Sequence, residues 1–85
     1  MMATVLNNNF LKNFNNMEDF KKEMLDELND LVDRIKKLFA FINSSKEFDS
    51  LVDDEQQDLR EQYIHMRSYE VVLRRRCKRA GLLNN

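Results

Sequence analysis

The chain has 85 residues with 1 Gly, 0 Pro and 1 Cys; it is 34% charged and 42% hydrophobic, with a net charge of -1. That length holds one domain at most, and so few turn residues exclude a β-rich or loop-rich fold. A single Cys excludes an internal disulfide, no stretch nears the roughly 18 apolar residues of a membrane span, and no basic segment leads into an apolar run, so a soluble protein of a reducing cytoplasm without a signal peptide is expected.

Residues 1–16 are rich in Asn, with Leu6, Phe10, Leu11 and Phe14 spaced three or four apart. They read as a short amphipathic helix or as an arm that docks on a neighbour, because Asn clusters favour caps and breaks. Asn16 is the expected N-cap of the next helix, with Glu18 and Asp19 in the first turn, where the helix dipole favours anions. That helix is predicted to run to about Ile42. Its apolar positions are Met17, Phe20, Met24, Leu28, Leu31, Ile35, Leu38 and Ile42, a heptad-like seam. Leu25, Val32 and Phe39 recur along one shoulder, making the apolar face wider than one partner helix needs.

Asn43, Ser44 and Ser45 are expected to break the helix, leaving Phe48 and Leu51 in a short turn. Asp53 is the expected cap of the last helix, with Gln56 as its capping-box partner. That helix is predicted over 54–80, roughly 40 Å long, with the seam Leu59, Tyr63, Met66, Tyr69, Leu73, Cys77 and Ala80. Gly81 is a natural stop. The short connection makes the two long helices antiparallel neighbours. The predicted fold is all-α: an arm or short helix over 1–16, then an antiparallel two-long-helix hairpin over 17–82. A lone hairpin of this size is marginal, and Ile64 and Val71 fall away from the seam, so a compact homo-oligomer is expected.

The charge is uneven. Glu47, Asp49, Asp53, Asp54 and Glu55 make an acidic block, whereas Arg60, Arg67, Arg74, Arg75, Arg76, Lys78 and Arg79 face only Glu61 and Glu70 between Arg60 and Arg79. The basic run reads either as a solvated helix face or as an arm that meets phosphates.

Catalytic chemistry finds no footing. His65 is the single His and lies twelve residues from Cys77 on one predicted helix, about 18 Å away, too far for a nucleophile dyad. Cys77 lies on the apolar seam and reads as core. One Gly cannot build a phosphate-cradling loop, and no Cys/His set has metal spacing. The chain is therefore expected to bind rather than catalyse, without cofactor or metal.

What remains is a pair of shoulders. Phe20, Glu27, Arg34 and Phe41 recur every seven residues on the first long helix, and Gln62, Tyr69 and Arg76 do so on the last. Each puts a ring and a guanidinium at the rim of an apolar face. Rings stack bases, and guanidinium clamps phosphate oxygens. The plainer alternative is that the rings are core and the arginines snorkel into water.

Phe41-Ile42, Phe48-x-x-Leu51 and Glu55-Gln56-x-x-Leu59-x-x-Gln62-x-x-x-Met66-x-x-Tyr69-x-x-Val72-Leu73-x-x-Arg76, with Leu31 and Arg34-Ile35-x-x-Leu38 upstream, resemble the second class of bacteriophage anti-CBASS proteins. The resemblance spans about residues 20–78. It implies a short N-terminal helix and two long helices assembled as a hexamer, acting in the cytoplasm of the infected bacterium. It also implies a sponge that holds cyclic di- and trinucleotides without cleaving them and so silences a CBASS effector. Phe20 then matches a base-stacking aromatic, Arg34 a phosphate-holding cation, and Arg76 an arginine linked to cyclic trinucleotides. Phe20 stands where the family pattern looks like tyrosine, and Arg34 where it looks like lysine. The candidate ligand-binding residues are Phe20, Arg34, Lys36, Tyr69 and Arg76. Two alternatives stay open: a helical accessory protein that binds a host protein, and a non-specific nucleic-acid binder using the basic arm, against which the acidic block argues.

Overall fold

A computed structural model describes residues 17–84, so the expected N-terminal helix or arm and the Asn16 cap lie outside the described residues. Three helices follow in order: α1, Met17–Ser44; α2, Lys46–Asp49; and α3, Asp53–Arg79. No strand occurs among the described residues, and none of their helices is long and apolar enough to cross a membrane.

The centre of the α1 seam is buried as its period predicts. Met24, Leu28, Leu31 and Ile35 meet Leu73 and Cys77 of α3 in one cluster, with Val32, Tyr63, Met66 and Ala80 packed against it. Three inter-helix pairs give the direction of packing. The Cys77 thiol lies 3.8 Å from the Met24 carbonyl, the Tyr69 hydroxyl donates to Glu27, and the Phe39 and Tyr63 rings stand 5.8 Å apart. Numbers rise along α1 as they fall along α3, the order of an antiparallel pair. The ends of the α1 seam are looser: Met17 is 51% exposed, and Phe39 on the shoulder is 53% exposed.

The connection is more ordered than a turn. α1 continues past Ile42 to Ser44, with the Asn43 amide donating to the Phe39 carbonyl at 2.8 Å. Ser45 takes an extended conformation, and its hydroxyl accepts from the Phe48 backbone N–H at 3.3 Å. A serine expected only to break one helix thus starts the next. Phe48, expected in a turn, lies on α2 with 2% exposure. The Phe41 ring meets it edge-on at 5.9 Å, and the Arg60 guanidinium stands 5.1 Å above it.

The α3 start also differs from expectation. Val52, not Asp53, holds the cap position, and no side chain caps the helix. Asp53, Asp54 and Glu55 instead occupy the first turn, where their charges complement the dipole. Gln56 makes no capping box. Its amide reaches back to the carbonyls of Phe48 at 2.9 Å and Leu51 at 3.2 Å. An amide NH2 carries two donors, and these two carbonyls at the end of the connection use them better than a cap would.

A second correction concerns the α3 seam. Tyr69, expected within it, is 39% exposed, whereas the Glu70 side chain is only 15% exposed. The inward stripe is Leu59, Tyr63, Met66, Glu70, Leu73, Cys77 and Ala80, alternating steps of four and three without a break. Helix geometry turned the glutamate inward, and hydrophobicity alone misassigned the position. Arg67 Nε at 3.3 Å and Arg74 Nε at 2.8 Å compensate the Glu70 carboxylate.

The helix ends where the glycine predicts. Gly81 has φ of 80°. Its N–H donates to the Lys78 carbonyl at 3.0 Å, and the Leu82 N–H donates to the Cys77 carbonyl at 2.9 Å. This pair of bonds is a Schellman cap, and Leu82 and Leu83 fold back onto the core.

Candidate functional site

The two shoulders meet along one side of the helix pair and line two cavities. The first, about 280 Å³, lies at the α1 start and the α3 end and is lined by Phe20, Met24, Arg76, Arg79 and Ala80. The second, about 430 Å³, lies farther along and is lined by Glu23, Asp26, Glu27, Asp30, Leu31, Arg34 and Tyr69. The Tyr69–Glu27 hydrogen bond ties the helices together at the second cavity.

Of the five residues selected from sequence, Phe20 and Arg76 share the first cavity, and Arg34 and Tyr69 share the second. Lys36 is exposed and lines neither. The electrostatics of the cavities are opposite. The first holds a ring and two guanidiniums with no carboxylate in its lining, so it can stack a planar ring and grip phosphate oxygens. The second sets four carboxylates against one guanidinium, so on a single chain it repels phosphate. No group of three His, Cys, Asp or Glu among the described residues is placed to share a metal ion.

Two lining features are not evident from the sequence alone. Arg79 lies one turn below Arg76 and joins it through i,i+3 spacing. Glu23, Asp26 and Asp30 carry a legible i,i+3 and i,i+4 signal beside Glu27 and Arg34. That signal reads as a solvated face until α3 packs beside it. Cys77 is fully buried, and burial pushes its thiol pKa up, outweighing the opposing pull of Arg76 and Arg74. It is core rather than nucleophile.

Both cavities are open at the surface of one chain and sit at the small end of the range for ligand pockets. A ligand larger than either needs a further wall.

Compared with known proteins, the chain matches the family model described as Sequestin over residues 18–79. No curated protein and no solved structure matches it.

Proposed function

The chain belongs to the Sequestin family, and on that premise we propose that it is a sequestering protein for cyclic di- and trinucleotides, which it binds without cleaving. In this reading it acts in the cytoplasm of a phage-infected bacterium, where it denies a CBASS effector its activating signal. The observation that carries the reading is the cavity that sets the Phe20 ring beside Arg76 and Arg79, inside the family-matched segment. A base stacks on the ring while the two guanidiniums hold phosphate oxygens.

The acidic lining around Arg34 assigns Arg34 a different part. It meets phosphate only where a second subunit brings cations that offset the four carboxylates, so ligand binding and assembly are coupled. The homo-oligomer, a hexamer by the resemblance, supplies that wall, with the exposed Ile64, Val71 and Val72 available for contact.

The test is isothermal titration calorimetry with a panel of cyclic di- and trinucleotides, followed by recovery of the ligand after heating the complex. Tight binding, intact ligand on release, and loss of at least about tenfold in affinity for Arg76→Ala are expected from a charge-assisted phosphate contact. Recovery of a linear product means that the protein is a nuclease. Absence of heat with every cyclic nucleotide refutes the reading and favours a host-protein partner on the exposed face of α3.

A further inference from the structure

We propose that the protein has a second anion site, on the opposite side of α3 from the Phe20–Arg76 cavity, built to take the phosphate group of a small phosphate ester. The site is the cavity of about 330 Å³ lined by Arg74, Arg75, Lys78, Leu83 and Asn84. None of these residues lines the two cavities above, so the inference stands independently of the cyclic-nucleotide reading.

Three observations build it. First, Arg74 is held in place. Its Nε is 2.8 Å from the Glu70 carboxylate, whose side chain is 15% exposed. A guanidinium fixed through Nε keeps both terminal nitrogens for a second partner, the fork that matches two phosphate oxygens. Because Glu70 sits on the buried stripe, Arg74 is oriented before any ligand arrives, and less ordering entropy is lost on binding.

Second, the cations exceed what the fold needs. Lys78 in the last turn complements the helix dipole. Arg74 and Arg75 lie before that turn, where the dipole effect has faded. Arg75 and Lys78 are i,i+3 and Arg74 and Lys78 i,i+4, so like charges crowd one face, an unfavourable arrangement on a lone helix. Neither Arg75 nor Lys78 has a carboxylate partner among the described residues. A bound anion removes that repulsion.

Third, the far wall is not part of the helix. The Schellman cap at Gly81 turns the chain back and packs Leu82 and Leu83 on the core. This places Leu83 and the Asn84 amide opposite the cations, an apolar surface for the organic part of the ligand and a polar group beside it.

Inorganic pyrophosphate is the probe, titrated into the full chain by calorimetry at constant ionic strength, with helix content followed by circular dichroism. One pyrophosphate per chain is expected. The Arg75→Ala/Lys78→Ala double variant, both positions exposed, weakens binding by about tenfold or more, as expected for lost charge-assisted contacts. Arg74→Lys conserves charge but loses the fork and the Nε bond to Glu70, and it weakens binding by about threefold or more. Lys37→Ala, which removes one positive charge elsewhere on the surface, leaves it unaltered. The proposal is overturned if pyrophosphate gives no saturable heat, if Arg74→Lys and Lys37→Ala behave alike, or if Arg76→Ala abolishes binding while the double variant does not. The last result would assign the anion to the Phe20 cavity.

Discussion

Phe48→Ala removes a side chain that is 2% exposed at the junction of the helices. Truncating a buried phenylalanine costs about 3–5 kcal/mol through lost transfer energy and the cavity left behind. Part of that is specific to the ring. The edge-on contact with Phe41 at 5.9 Å contributes about 0.5–1.5 kcal/mol. Arg60 at 5.1 Å above the ring adds about 0.5–1 kcal/mol at this half-open position. Phe48→Leu keeps most of the volume and loses only these terms, so it is expected to cost about 1–2.5 kcal/mol. Urea unfolding followed by circular dichroism measures both variants, at one fixed protomer concentration because self-association shifts apparent stability. At roughly 4–8 °C per kcal/mol for a domain of this size, the alanine variant also melts more than about 12 °C lower. A loss below about 1 kcal/mol for Phe48→Ala, or no loss for Phe48→Leu, would refute the ring's role in fixing the connection.

Gln56→Ala leaves the Leu51 carbonyl without its donor and the Phe48 carbonyl with the Leu51 N–H alone, at 3.1 Å, and is expected to cost about 1–2 kcal/mol by the same unfolding assay. Gly81→Ala meets no atom within 4 Å, so its cost is the left-handed conformation alone, about 1 kcal/mol, read as a small drop in Tm. The Ser45 hydroxyl, then the residue's own backbone N–H, hold the Glu47 carboxyl below its ordinary value of 4.5. With the folded pKa depressed, this stabilisation is present above the unfolded value and lost as pH falls through the folded one. Ser45→Ala should return the Glu47 titration, followed by carbon NMR, toward the ordinary value. Cys77, buried with a raised thiol pKa, should react with a thiol reagent at neutral pH only as the protein unfolds, and fast labelling of the native protein would contradict its place in the core.

Much of the fold was legible in the residues. The spacing of Met24, Leu28, Leu31 and Ile35 located the buried stripe of α1, because a helix of 3.6 residues per turn places such positions on one face. Gly81 marked the α3 end, because few other residues adopt positive φ cheaply. The errors share one cause. Polarity alone points Tyr69 inward over Glu70; two arginines make the glutamate tolerable there, and their contact is invisible in one dimension. Gln56 was assigned to a cap because its local spacing fits one, yet three-dimensional proximity offered it the carbonyls of the preceding connection. Ser45 looked like a break and proved to be a start, since one short polar residue serves either role.

The candidate site divides in the same way. Periodicity is a property of the chain alone. It was enough to assign the helices, most of their inward stripes, and the rings and guanidiniums on their shoulders. Which of those groups share a cavity depends on the register and rotation of α1 against α3, and these exist only when the helices pack. Tertiary structure therefore decided that Phe20 shares a cavity with Arg76 and Arg79, that Arg34 stands among carboxylates, and that Arg74 is held by a glutamate turned toward the core. Electrostatic character comes from the sum of neighbours within a few ångströms, and no single helix carries that sum.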